Sequence, residues 1–227
     1  MTPLVLIPGM MCDARMWGAV PQALPVPVHH ALPVTGETIA AMAAAILAGA
    51  PPRFHLAGLS MGGIVAMEML EQAPDRIERL ALMDTNPLAE APKVQARRGP
   101  QIARALAGDL EGVMRDEMKP NYLADPEDTA TLDLCMAMAR DLGPEVFRRQ
   151  SLALQGRADR TDTLRRFAGP ALVLTGAHDR PCPRDRHELM HALMPQSRLV
   201  VIPDAGHLPP LENPAPTITA LKEWLAT

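Results

Sequence analysis

A serine stands between an apolar run and a helical pattern in the stretch RFHLAGLSMGGIVAMEML, residues 53–70. The segment Gly58-Leu-Ser60-Met-Gly62 within it fits the pattern G-x-S-x-G. Glycine is costly inside a strand or a helix, so we infer that Gly58 and Gly62 leave room for a sharp turn that exposes Ser60. The helix that follows would place free N–H groups and a partial positive charge behind the serine. This arrangement predicts a nucleophilic hydroxyl, and we expect Gly63 to allow close helix-to-strand packing.

A serine hydroxyl is a weak nucleophile unless a base takes its proton. His207, in VVIPDAGHLPPLENP, follows one predicted strand, and Asp179, in LVLTGAHDRPCP, follows another. The order Ser60, Asp179, His207 is the order of a Ser…Asp…His catalytic triad on this kind of turn. Two other carboxylates stay open as alternatives. Asp84 ends a predicted strand, and Asp204 lies near the base in sequence, where it more simply organises its own turn.

Short apolar runs alternate with helical patterns along the chain. The predicted strands cover residues 3–8, 26–33, 53–58, 77–85, 170–176 and 197–203, and the predicted helices cover 37–50, 60–73, 183–194 and 213–227. Strands that are apolar throughout suit a parallel sheet covered on both faces. The sequence therefore predicts an α/β fold with a mostly parallel central sheet.

The segment from 86 to 167 breaks this alternation because it holds helix-forming residues and no convincing strand. We predict that residues 1–85 and 168–227 form the sheet-containing core. Residues 86–167 are predicted to be a helical insertion that acts as a cap or lid.

Three motifs occur in a defined order: GLSMG at 58–62, GAHD at 176–179 and GHLPPLENP at 206–214. On these residues the chain resembles the α/β-hydrolase superfamily over essentially its whole length. The resemblance implies a mostly parallel sheet with helices on both faces. It also implies a triad in which Ser60 attacks, His207 is the base and Asp179 orients the imidazole.

The resemblance also implies an oxyanion hole built from two backbone N–H groups. One donor is the residue after the nucleophile, Met61. The other comes from the loop IPGMMCD after the first strand, where Pro8 replaces a histidine that is common in the family. We predict Met10 as this second donor.

The residues expected to line the substrate pocket are Trp17, Met11 and His178. The predicted activity is hydrolysis of a carboxylic ester with a small or medium apolar acyl group, through an acyl-enzyme. Four alternatives stay open on the same triad or fold: an acyltransferase, a cofactor-free perhydrolase or haloperoxidase, a carbon–carbon bond hydrolase, and a non-catalytic binding protein. The complete set of serine, aspartate and histidine argues against the last.

Composition excludes several other functions. A net charge of −4 and 3% aromatic residues over 227 residues disfavour binding of duplex nucleic acid. The three cysteines, Cys12, Cys135 and Cys182, have no metal-ligand spacing, so neither a metal nor a cofactor is expected. Without a membrane span or a signal peptide, the sequence predicts a cytoplasmic location and a small-molecule substrate. Its composition leaves the oligomeric state open.

Two groups of surface-type residues have a simple and a functional interpretation. Lys93, Arg97, Arg98 and Arg104 are expected to form a solvated helix face, and the alternative is a basic rim that attracts an acidic substrate or acyl carrier. His187 and His191 have the i, i+4 spacing of a helical metal site. For this pair too, the favoured interpretation is a solvated helix face.

Overall fold

The structure is a computed structural model that describes all residues, 1–227. Its centre is one sheet of six parallel strands in the order β2-β1-β3-β4-β5-β6. The strands are β1 Leu4–Ile7, β2 Val28–His30, β3 Phe54–Leu59, β4 Ile77–Met83, β5 Ala171–Gly176 and β6 Arg198–Ile202. β1, β3 and β5 are buried along their whole length, as expected of strands covered on both faces.

Helices pack on both faces of the sheet. They are α1 Val20–Ala23, α2 Ile39–Gly49, α3 Met61–Gln72, α4 Pro92–Arg104, α5 Leu110–Gly112, α6 Thr129–Gln155, α7 Thr161–Arg166, α8 Arg184–Leu193, α9 Pro209–Glu212 and α10 Pro214–Ala226. Helices α2, α3 and α8 contribute to the core on one face, and α1 and α10 contribute to the core on the other. This arrangement confirms the predicted α/β class with a central parallel sheet.

The register of the strands aligns their carboxyl ends. Leu59 of β3 pairs with Met83 of β4, Met83 pairs with Leu174 of β5, and Gly176 pairs with Ile202 of β6. Loops that leave adjacent parallel strands therefore meet at one edge of the sheet, which is where ligands bind in open α/β sheets.

No strand occurs between β4 and β5. This segment contains α4 to α7 and two π-helical turns at Ala105–Asp109 and Val113–Met118. Helix α6 bends at Gly143, whose φ is 78°, next to Pro144. None of the helices in the structure combines the length and the hydropathy that a membrane crossing requires.

Candidate active site

Ser60 occupies a strained turn between β3 and α3. Its φ of 55° and ψ of −119° lie in a region that non-glycine residues rarely adopt. Its N–H donates to the Met83 carbonyl at 2.9 Å, and its carbonyl accepts the Thr85 hydroxyl at 2.7 Å. These bonds tie the turn to the end of β4, so the half-buried side chain of Ser60 is held at the carboxyl edge of the sheet.

The glycines around Ser60 are required by close backbone contacts. A Cβ atom on Gly58 would lie 2.2 Å from the Gly62 carbonyl oxygen, and one on Gly62 would lie 2.0 Å from that of Ile7. A Cβ on Gly63 would meet the Thr85 hydroxyl at 2.6 Å. The first two glycines therefore permit the turn, and Gly63 permits close packing of α3 against Thr85 in the loop that follows β4.

Three of the predicted residues come together in one hydrogen-bonded chain. His207 Nε2 lies 2.9 Å from Ser60 Oγ, and His207 Nδ1 lies 2.9 Å from Asp179 Oδ1. The carboxylate accepts from Nδ1–H, which leaves Nε2 as the acceptor for the serine proton. His207 is 2% exposed and Asp179 is 8% exposed, so water screens the pair little.

The loop that carries His207 is organised by one carboxylate. The N–H groups of Gly206 and Leu208 donate to Glu212, each at 2.8 Å. Ala124 N–H, from the segment between β4 and β5, donates to the same carboxylate at 2.7 Å. Glu212 therefore joins the His207 loop to that segment.

A second tie holds the backbone of the histidine itself. His207 N–H donates to the Tyr122 carbonyl at 2.6 Å, and the two rings pack edge-on with centroids 5.1 Å apart. A Cβ on Gly206 would lie 2.4 Å from the same carbonyl oxygen, so this approach requires glycine. The base is thus positioned by residues outside its own strand and loop.

A second carboxyl group, Asp84, adjoins the first. Its Oδ1 accepts Gly176 N–H at 2.9 Å, and it lies within 4.8 Å of Asp179. The Oδ2 atoms of both residues are buried and have no other partner. Burial, followed by the charge of Asp179, raises the pKa of Asp84 well above its ordinary value. Of the two carboxyl groups, Asp179 is therefore the one that pairs with His207 Nδ1, and Asp84 lies behind it.

His187 is fully buried, which corrects the expectation of a solvated helix face. Its Nε2 accepts Thr85 N–H at 3.2 Å, and burial lowers its pKa to about 4. His191 points elsewhere, with Nδ1 2.7 Å from the Ser197 hydroxyl. The two histidines therefore do not form a helical metal site.

Two groups of side chains bring potential metal-ligand atoms within 4.8 Å of one another. One group is Asp179, Cys182 and His207, and the other is Asp84, Asp179 and His187. In both groups the histidine and the Asp179 oxygen already take part in the hydrogen bonds described above. We therefore assign no metal to either group.

Two backbone N–H groups beside Ser60 have no acceptor in the protein. They belong to Met10, in the loop after β1, and to Met61, the first residue of α3. Both residues line the same cavity as Ser60. Neighbouring bonds hold the β1 loop in place, since Met11 N–H donates to Gln150 Oε1 at 2.9 Å.

A cavity of about 660 Å³ lies above Ser60 and His207. Its apolar lining comes from both the core and the segment between β4 and β5 and includes Met10, Met61, Ile64, Leu88, Val94, Met118, Tyr122 and Leu154.

The three residues expected to line the pocket lie outside the cavity. Trp17 and Met11 are fully buried in the two cores, because their side chains turn away from the β1 loop into the protein. His178 is exposed, and its backbone N–H pairs with the Ala205 carbonyl at 2.9 Å. None of these three side chains therefore contacts the cavity.

Charged residues also line the cavity, with five arginines against two glutamates. They are Arg97, Arg98, Arg157, Arg180, Arg186, Glu90 and Glu117. Arg98 is buried against Glu90, which corrects the expectation that it belongs to a solvated face. Arg104 instead pairs with Asp109 and Glu117, and Lys93 does not reach the cavity.

Sequence reasoning gave no role to Glu90, Arg157 or Glu212. Glu212 stands inside the motif GHLPPLENP, and an acid among prolines next to the predicted base is the signal that the sequence offers. Glu90 and Arg157 offered none, because they meet only through tertiary packing.

Comparison with known proteins places this geometry among hydrolases. Residues 4–220 match the model described as the Alpha/beta hydrolase family. A relative from Aromatoleum aromaticum, a pimeloyl-[acyl-carrier protein] methyl ester esterase, is 26% identical over 93% of both chains.

Two solved structures are similar over the full chain. A thermophilic esterase from Thermogutta terrifontis, solved with malate bound, is 31% identical with a TM-score of 0.90 and is covered over 90% of its length. The enol-lactonase from Burkholderia xenovorans LB400 shares the fold, with 22% identity, a TM-score of 0.86 and 92% of its chain covered.

Proposed function

The chain belongs to the alpha/beta hydrolase family, and we propose that it is a serine hydrolase that cleaves carboxylic esters through an acyl-enzyme. The observation that carries this proposal is the chain of two 2.9 Å hydrogen bonds from Ser60 Oγ through His207 to Asp179. Esterase relatives at 31% and 26% identity support the same class of reaction.

The proposed reaction begins with Ser60 Oγ. As Oγ attacks the ester carbonyl, His207 Nε2 takes its proton, and Asp179 stabilises the resulting imidazolium. The carbonyl oxygen gains negative charge and is held by the N–H groups of Met10 and Met61. His207 then protonates the leaving alcohol.

Deacylation uses the same groups. Water enters, His207 Nε2 takes one of its protons, and the hydroxide attacks the acyl-enzyme carbonyl. Collapse of this second intermediate returns the proton to Ser60 and releases the carboxylic acid.

The cavity supports a small or medium acyl group. Its volume of about 660 Å³ falls within the usual range for small-molecule sites, and methionine, leucine and isoleucine side chains supply apolar surface. One relative is named a methyl ester esterase, so methyl esters are the first substrates to test.

We assign residues 86–167 the role of a cap over this cavity. The segment supplies Glu90, Arg98, Met118 and Leu154 to the lining, and Tyr122 to the support of His207. Substrate selection is therefore expected to depend on this segment.

The test is Ser60→Ala, assayed with p-nitrophenyl esters of increasing acyl length. We expect kcat to fall by roughly 10⁴-fold or more, and labelling by a fluorophosphonate probe to disappear. The matched control is Ser151→Ala, since Ser151 is a buried serine outside the cavity whose hydroxyl makes no hydrogen bond. Full activity in Ser60→Ala would overturn the proposed mechanism.

A further inference from the structure

Three charged side chains are buried together in the wall of the cavity. Arg98 Nε and Nη2 donate to Glu90 Oε2 at 3.0 and 2.6 Å, and Arg157 Nη2 lies 3.2 Å from Glu90 Oε1. The side chains of Arg98, Arg157 and Glu90 are 11%, 9% and 5% exposed. We call these three residues the Glu90 triad.

The Glu90 triad carries one uncompensated positive charge, because one carboxylate faces two guanidinium groups. Burial lowers the pKa of Arg157 and the nearby charge of Arg98 lowers it further, although Glu90 acts in the opposite direction. A buried charge without a counterion is costly, so an anion that reached this position would be bound favourably.

The rest of the cavity supplies no counterion. The other charged lining residues are Arg97, Arg180, Arg186 and Glu117. Glu117, the only acid among them, already pairs with Arg104. With five arginines against two glutamates, the charged lining of the cavity carries a net positive charge.

Donor atoms of the Glu90 triad are also free. The only hydrogen-bond acceptor of Arg98 Nη1 in the protein is the thioether of Met10 at 3.6 Å, which is a weak acceptor. Arg157 uses Nε for the Leu88 carbonyl at 3.0 Å and Nη2 for Glu90, and its Nη1 has no acceptor. The contact places this nitrogen of Arg98 beside the side chain of Met10, the residue whose backbone N–H is a proposed oxyanion donor.

We propose that the Glu90 triad is an anion subsite and that the substrate is an ester carrying a carboxylate group. The proposal rests on the ester hydrolysis proposed above and names its substrate class. Arg98 and Arg157 bind the carboxylate while the ester carbonyl lies on Met10 and Met61. A carboxylate fits because its single negative charge cancels the single excess positive charge of the triad.

The test compares charged and neutral esters of matched length. The charged set is the monomethyl esters of succinic, glutaric and adipic acids, and the neutral set is the methyl esters of butanoic, pentanoic and hexanoic acids. A second arm places the carboxylate on the alcohol side, with 3-(butanoyloxy)propanoate against propyl butanoate. In one of the two arms we expect kcat/KM of the charged ester to exceed that of its neutral counterpart about tenfold or more. Whichever arm shows this preference tells whether the carboxylate belongs on the acyl side or the alcohol side of the substrate.

Substitutions in the Glu90 triad test whether it causes the preference for charged esters. Arg98→Gln and Arg157→Gln are expected to lower the charged-to-neutral ratio of kcat/KM about tenfold, mainly through KM. Glu90→Gln removes the internal counterion and is expected to raise the ratio. Arg115→Gln, which alters an exposed arginine outside the cavity, is the matched control and is expected to leave the ratio unchanged.

The outcomes separate this proposal from the broader one. Equal turnover of charged and neutral esters by the unaltered protein would overturn the subsite and leave ester hydrolysis standing. Turnover of neither set, together with no fluorophosphonate labelling of Ser60, would overturn ester hydrolysis itself. If the arginine variants fail to fold, the Glu90→Gln ratio and the rise of KM for charged esters with ionic strength still decide the question.

Discussion

The carboxyl groups of Asp84 and Asp179 lie within 4.8 Å of each other at the ends of adjacent strands, and each leaves a buried Oδ2 without another partner. Burial raises the pKa of Asp84, and a proton on its carboxyl group would satisfy both oxygens with one hydrogen bond. We therefore predict that Asp84 acts as a positioning residue for the carboxylate that accepts from His207 Nδ1.

Asp84→Asn is expected to retain kcat because the amide can donate to Asp179 and still accept Gly176 N–H. The pKa of Asp84 is raised in the folded protein, whereas the unfolded chain titrates near about 3.9. The folded state therefore keeps a proton that the unfolded chain has lost, and the free energy of unfolding falls as pH rises above about 4. Asp84→Asn removes this fall, which amounts to about 1.4 kcal/mol per pH unit up to the folded pKa.

This prediction is checked by measuring the free energy of unfolding of Asp84→Asn in urea from acid to mildly alkaline pH. The variant should be more stable than the unaltered protein at high pH, and the difference should vanish towards about pH 4. Asp84→Ala is the contrasting variant, since it loses donor and acceptor and places alanine at a φ of 44°, and we expect it to cost roughly 1–3 kcal/mol. Equal losses in both variants would contradict a protonated Asp84.

His187 predicts the opposite dependence on pH. Its pKa is lowered to about 4, whereas the unfolded residue titrates near about 6.5. Stability is therefore fully present above about pH 6.5 and falls by roughly 3 kcal/mol as pH drops to about 4. In His187→Gln the amide oxygen accepts Thr85 N–H without titrating. The free energy of unfolding of this variant should therefore fall less as the pH drops from about 6.5 to about 4.

The measurement for His187 is the free energy of unfolding over the same acid range. The exposed His29→Gln variant is the control and should reproduce the profile of the unaltered protein. If His187→Gln lost stability at acid pH as steeply as the unaltered protein, another group would be responsible for that loss.

Glu212→Gln is expected to reduce catalysis more than stability. One carboxylate oxygen becomes an NH₂ group that faces a backbone N–H donor, so the loop around His207 shifts. A small displacement of the base is sufficient to lower kcat about tenfold or more. Glu223→Gln, at an exposed ion pair with Arg198, should leave kcat unchanged and alter stability by less than about 0.5 kcal/mol. The idea fails if Glu212→Gln keeps normal kcat.

Gly62→Ala tests the packing beneath the nucleophile. The new Cβ would lie 2.0 Å from the Ile7 carbonyl oxygen, and a backbone atom cannot move aside without disturbing β1. We expect a loss of roughly 3 kcal/mol or more, or no folded protein. Gly49→Ala has no neighbouring atom within 4 Å of its Cβ and should stabilise the helix by up to about 1 kcal/mol. Thermal melting of both variants measures the difference.

Most of the sheet and its helices could be predicted from the sequence because apolar periodicity determines them locally. The strand predicted at 77–85 is observed at Ile77–Met83, and the helix predicted at 183–194 is observed at Arg184–Leu193. The family comparisons confirm the hydrolase class that followed from the G-x-S-x-G turn and the two later motifs. The catalytic roles of Ser60, His207 and Asp179 remain proposals, since they rest on geometry.

The lining of the cavity could not be predicted, because sequence proximity does not give the direction of a side chain. Trp17 follows the β1 loop closely in sequence but lies in the core beneath it. His187 did carry a signal, since Met190 and Met194 follow at helical spacing and both are fully buried. The helical face that they share was a better guide than the pairing with His191.

The hydrogen bond from His207 to the Tyr122 carbonyl has a consequence for engineering this protein. Residues 86–167 cannot be exchanged as an independent module, because the stretch around Tyr122 and Ala124 is part of the scaffold of the base. A chimera that imports a foreign segment should retain these residues and join its ends on either side of them. Grafts that replace them would produce folded proteins with an intact nucleophile and a misaligned base.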